Sequence, residues 1–108
     1  MAFDLDALLG VLDLADLGDG TWEGRNLDIG YHRVFGGQIL AQALVVAAAA
    51  APGKSVKSLH VLFPREGDTA KPMRYGVTSL QGGRTFGTVE VIATQGEKVI
   101  AAALASVH

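Results

Sequence analysis

A chain of 108 residues with a formal net charge of -2 is one domain's worth of sequence and carries no excess of positive charge for a nucleic-acid groove. It has no cysteine, which excludes a disulfide framework, a thiol nucleophile and a cysteine metal site. Hydrophobic residues make up 49% and the mean hydropathy is positive, so part of the apolar surface is expected to be covered by another copy or another domain.

The charges are unevenly placed. Before Tyr31 lie seven acids, Asp4, Asp6, Asp13, Asp16, Asp19, Glu23 and Asp28, against the single base Arg25. After it, bases outnumber acids by eight to four. The acidic stretch reads as a solvated helix face and loop, whereas Lys54, Lys57, Arg65, Lys71, Arg74 and Arg84 could meet a phosphorylated ligand. An acidic start, Met1 to Asp6, is unlike a basic signal peptide, and the apolar run Ile39 to Ala51 is shorter than the ~20 residues of a membrane span. A cytoplasmic protein with no membrane span is expected.

In chain order, Leu5, Leu8, Leu9 and Leu12 recur at helical spacing, so Asp4 to Leu14 is expected to form an amphipathic helix capped by Asp4 and ended by Gly18-Asp19-Gly20. Thr21 to Leu27 reads as a first strand. The segment from Val34 through Gly36-Gly37-Gln38 and the alanine tract to Ala51 reads as a helix that is apolar nearly all round, closed by Pro52-Gly53. Such a helix must be wrapped. The wrapper is the strand-like remainder, in which Leu59, Val61 and Phe63 alternate with Ser58, His60 and Leu62, and Met73, Tyr75 and Val77 alternate with Arg74, Gly76 and Thr78. Gln81-Gly82-Gly83-Arg84 makes a hairpin into Thr85 to Thr94, and Gln95-Gly96-Glu97 a tight turn into Lys98 to Val107. Alanine is a poor strand former, so the last strand rests on hairpin context, with its small side chains letting a helix sit close. Residues 1–108 thus read as one α+β domain of the hotdog kind, an antiparallel sheet curled round a central helix, with the later strands a meander and the outer strands free to extend the sheet across a partner.

Two glycines at the helix start leave backbone N–H groups bare where the macrodipole is positive, so this end can polarise a carbonyl or hold an anion. Gly-Gly also serves simply to turn the chain or admit a neighbouring backbone, and on residue chemistry alone that use is the commoner. Gln38 and Gln42, one turn apart, either line a polar pocket or tie the helix to the sheet. No Gly-x-Ser-x-Gly elbow or P-loop is present, and His32, His60 and His108 share no short spacing that would suggest zinc.

The string Arg33-Val34-Phe35-Gly36-Gly37-Gln38-Ile39-Leu40-Ala41-Gln42-Ala43-Leu44 closely resembles the amino-terminal half of the acyl-CoA thioesterase II family. So do Val56 to Phe63, Gly67-Asp68, Lys71-Pro72 and Gly82-Gly83-Arg84-Thr85-Phe86, in the same order. The resemblance implies a hotdog protein that hydrolyses acyl-CoA to free acid and CoA without metal or other cofactor. On this reading the Gly37 and Gln38 N–H groups polarise the thioester carbonyl and Gly36 and Gln42 lie on the substrate side, while Arg84 could bind a CoA phosphate, although an exposed hairpin arginine is more often merely solvated. Family members are usually two hotdog domains in tandem, whereas this chain holds one, so a homo-oligomer or pairing with a second hotdog domain is expected. The family's water-ordering carboxylate, its hydroxyl neighbour and a glutamine sit in the second half. Repeat equivalence puts His60 at the carboxylate position, the hydroxyl near Thr78 or Ser79, and the glutamine near Ser106 or His108. His60 is the candidate base, since an imidazole serves at neutral pH, or else a polar residue at a domain interface. The alternative function is a catalytically silent acyl-CoA-binding or structural half of a double hotdog. A third is a hotdog dehydratase, which would need a His paired with an Asp or Glu near the helix.

Overall fold

The computed structural model describes residues 5–28, 30 and 32–108, so the cap assigned to Asp4 lies outside the described residues. Two helices and six strands follow in the order α1 (Leu5–Val11), β1 (Ala15–Gly18), β2 (Thr21–Gly24), α2 (Gly36–Ala49), β3 (Val56–Leu62), β4 (Met73–Gly82), β5 (Gly87–Gln95) and β6 (Lys98–Val107). One antiparallel sheet holds all six strands in the order β1-β2-β4-β5-β6-β3, with α2 across one face. This is the hotdog fold.

The core is the seam between α2 and the sheet. Ile39, Ala43, Val46 and Ala47 of the helix meet Tyr75, Val89, Val91 and the alternate alanines Ala101, Ala103 and Ala105, all buried. A methyl group is the smallest side chain that keeps a strand's face apolar, so the alanines of β6 bring the helix close to the sheet. On β2, Trp22 lies opposite Tyr75 of β4 and is partly buried against the same core.

Three expectations are corrected. Helical spacing in the first residues does not carry to Gly18: α1 stops at Val11, and Ala15–Gly18 is a strand paired with β2. Gly18-Asp19-Gly20 is the turn of that hairpin, with all three residues at positive φ. The later strands do not form one meander. Only β4, β5 and β6 do, while β3 crosses to the far side of β6, because the link 63–72 with Pro64 and Pro72 cannot make a tight hairpin. Finally, α2 is covered on one side only, for Leu40 and Leu44 remain 39% and 43% exposed. The apolar stripe of α1 is likewise open at Leu5 and Leu9. Among the described residues no helix is long and apolar enough to cross a membrane.

Candidate functional site

Phe35 precedes α2 in an extended conformation and no side chain caps the helix start. The N–H groups of Gln38 and Ile39 both donate to the Phe35 carbonyl, at 3.0 and 3.4 Å, so the donors left over are those of Gly36 and Gly37. The pair of bare N–H groups therefore sits one residue earlier than the Gly37 and Gln38 pair expected from sequence. A side chain at 37 would meet the Phe35 ring, since a Cβ there would lie 2.5 Å from it. Above Gly36 the nearest group is the Phe63 ring, 3.8 Å from where a Cβ would stand. Two aromatic rings thus flank the helix start, and both are about half exposed.

Unlike spaces open on the two sides. Towards the end of β3 lies a cleft of about 380 Å³ reached by Arg33, Gly36, Phe63, Arg65 and Glu66. Arg33 Nη1 is paired with Glu66 Oε1 at 2.6 Å, and Arg65 Nη1 donates to the Val99 carbonyl at 3.3 Å. Towards α1 lies a smaller apolar pocket of about 110 Å³ bounded by Leu8, Leu12, Leu27, Phe35, Gly37 and Ala41.

Beneath both, a buried amide network fixes the helix. Gln42 Nε2 donates to the carbonyls of Val11 and Arg25, each at 2.8 Å, and its Oε1 accepts from Tyr75 Oη at 2.5 Å. Gln38 Oε1 accepts from Leu27 N–H at 2.7 Å while its Nε2 donates to Asn26 Oδ1 at 2.9 Å. The two glutamines also touch, Gln38 Nε2 to Gln42 Oε1 at 3.3 Å. Asn26 in turn donates to the carbonyls of Thr69 and Lys71, and Gln95 Nε2 donates to the Lys71 carbonyl as well. Burial pushes the Tyr75 phenol well above its ordinary range, because the phenolate could not be solvated there, so it stays a donor. No buried side-chain N or O among the described residues is left without a partner.

A family model described as the acyl-CoA thioesterase N-terminal domain matches residues 24–108. The chain belongs to this family. The acyl-CoA thioesterase 2 of Haemophilus influenzae is 37% identical over 103 residues, 94% of this chain and 36% of that protein. Human acyl-coenzyme A thioesterase 8 is 40% identical over 91 residues, 83% of this chain and 28% of that protein. Among solved structures, a tesB protein of Mycobacterium avium subspecies paratuberculosis superposes with a TM-score of 0.92 at 36% identity, over 96% of this chain and 42% of that one. The chain therefore spans about a third of the length of these curated relatives. A conserved Pseudomonas aeruginosa protein, 21% identical with a TM-score of 0.76, shares the fold over 97% of this chain and 93% of its own.

Within this thioesterase-family domain the candidates named from sequence are scattered. Gly36, Gly37, Gln38 and Gln42 are together at or below the helix start, but Gln42 is fully buried and its amide is spent on the chain itself, so the geometry favours the tie over the pocket lining. His60 projects from the face of the sheet opposite α2, exposed, with Leu104 beside it and Glu90 and Thr78 farther along the same row. Two strands separate His60 from Thr78, roughly 14 Å at the usual strand spacing. Ser79 is exposed on β4 and likewise remote, Ser106 bonds Ser58 across the strands at 2.6 Å, and His108 stacks on Phe86. Arg84 is at the other end of the molecule, where Lys54 just past α2 holds the Gly83 carbonyl. The 14 residues of α2 put it roughly 20 Å from Gly37. What sequence reasoning missed is the flanking shell of Phe35, Phe63 and Arg33. The signal was topological: only the return of β3 to the helix start brings Phe63 and Arg65 beside Gly36.

Proposed function

We propose that this domain contributes to an acyl-CoA thioesterase by polarising the thioester carbonyl at the start of α2. The observation that carries the reading is the pair of free N–H groups at Gly36 and Gly37, set between an apolar pocket and a cleft edged by Arg33 and Arg65. An acyl-CoA has the same three parts: an apolar tail, a polarisable carbonyl and a phosphorylated carrier. Preorganised donors aimed at the carbonyl oxygen stabilise the negative charge it gains when water adds, and collapse of that adduct releases CoA thiol and the free acid. Membership of the acyl-CoA thioesterase N-terminal domain family supports the substrate class.

Water activation is assigned to a second hotdog domain. His60 faces away from α2, and among the described residues its row of the sheet sets no carboxylate beside it, since Leu104 stands between it and Glu90. The open Leu40 and Leu44 stripe and the unpaired edge of β3 are the surfaces such a partner, or a second copy, would cover. The same observations favour the second reading, a half-domain that binds acyl-CoA and is silent alone. We place the protein in the cytoplasm, where acyl-CoA is available. Acyl-CoA hydrolysis by the purified chain, alone and mixed with a cognate second-half domain, decides: activity only in the mixture is expected. Efficient turnover by the chain alone would overturn the division of labour.

A further inference from the structure

The apolar pocket between α1 and the start of α2 has one side chain with a polar end, Gln38, and that end is turned away. Its amide is committed to Leu27 N–H and Asn26, so what faces the space is carbon. A site without accessible donors or acceptors penalises phosphate, sugar or peptide and favours alkyl groups. The Phe35 ring forms its roof against Gly37. Ala41, one helical turn beyond Gly37, stands in its wall.

We infer that this pocket is the acyl subsite, that it takes an unbranched acyl chain of about four carbons, and that Ala41 sets the length. The inference rests on the thioesterase reading and gives it a substrate class, short-chain acyl-CoA. A carbonyl held at the Gly37 N–H has its acyl carbons at the mouth of the pocket with nothing polar to cross. The size follows from volume: an apolar cavity of about 150 Å³ takes the six carbons of benzene, so one of about 110 Å³ takes roughly four.

The test uses the full-length protein and non-hydrolysable thioether analogues of acetyl-, butyryl- and octanoyl-CoA, with affinities measured by calorimetry. Butyryl is expected to bind about tenfold tighter than acetyl, as two buried methylenes provide, with no further gain at octanoyl. In Ala41→Leu the butyryl-to-acetyl ratio should fall to near one, because leucine occupies the space. Leu8→Phe fills the pocket from the α1 side, should do the same, and guards against a folding defect in the helix variant. Phe35→Ala should remove the roof and restore a gain at octanoyl. Binding whose chain-length dependence is the same in the native protein and both filling variants would overturn the inference and leave the thioesterase reading standing. Failure of every analogue and of CoA itself to bind would sink both.

Discussion

Valine at position 37 would set a branched carbon against the Phe35 ring, which lies over the bare α-carbon, and the ring would have to leave. Gly37→Val should therefore cost little stability, within roughly 1 kcal/mol, since valine differs modestly from glycine in helix propensity. Turnover of acyl-CoA by the full-length protein should nevertheless fall by about 10²–10³-fold, the usual loss when one oxyanion donor is disabled. Normal turnover in a folded variant would remove the polarising role from the helix start. His60 poses the opposite case. It is exposed on the outer face, so His60→Ala should change stability by less than about 0.5 kcal/mol and act mainly on association with the partner domain. If the purified chain turns over acyl-CoA and His60→Ala abolishes this without altering its oligomeric state, His60 is the base after all. Glycine, glutamine and histidine were all visible as candidates in the sequence. Which of their atoms remain free was not, because the Phe35 carbonyl takes the Gln38 N–H only once the helix turns.

The elements are held in place by amides as much as by apolar contact. Gln42 joins α2 to the carbonyls of Val11 and Arg25 and to Tyr75, so Gln42→Leu would strand two carbonyls and a phenol at once. A loss of roughly 3 kcal/mol or more in chemical denaturation is expected, since each buried unsatisfied group costs about 1–3 kcal/mol. Tyr75 adds a pH signature. Its folded-state ionisation is raised above the ordinary 10.0, so the unfolded chain gives up that proton first. Stability from this group is complete below that value and is lost as pH rises through and beyond it. Tyr75→Phe should cost about 1 kcal/mol at neutral pH and lose less stability than the native chain in strong alkali, as urea midpoints across the pH range would show. An equal alkaline loss in both proteins would assign it elsewhere. Period-two alternation made β3 and β4 legible, and the turns at Gln81-Gly82-Gly83-Arg84 and Gln95-Gly96-Glu97 did the same for β5 and β6, within a residue or two. The first hairpin was missed because four exposed residues in β1, Ala15–Gly18, show no alternation, and its turn residues also read as a helix stop. The place of β3 at the sheet edge was not legible either, because strand order depends on what the link 63–72 packs against.

At the scale of the whole molecule, apolar surface is left over. Leu40 and Leu44 of α2, with Phe35 and Phe63 near its start, stay exposed, in keeping with a composition too apolar for one layer of sheet and one helix to hide. Sedimentation at micromolar concentration should show at least a dimer, or a one-to-one complex with a second hotdog domain. The double variant Leu40→Asp, Leu44→Asp should sediment as a folded monomer; a native chain that is itself monomeric and binds no second domain would refute the covering role. The position of Trp22 gives the chain a built-in optical gauge. It is the sole tryptophan, set on β2 where the first hairpin meets Tyr75 and the core. Its emission therefore reports one seam, the join between the β1–β2 ribbon and the rest of the sheet, and is blind to the far edge at β3. Fluorescence that reddens before the circular dichroism changes would mean that the ribbon peels away first; coincident transitions would mean that the sheet melts as one unit.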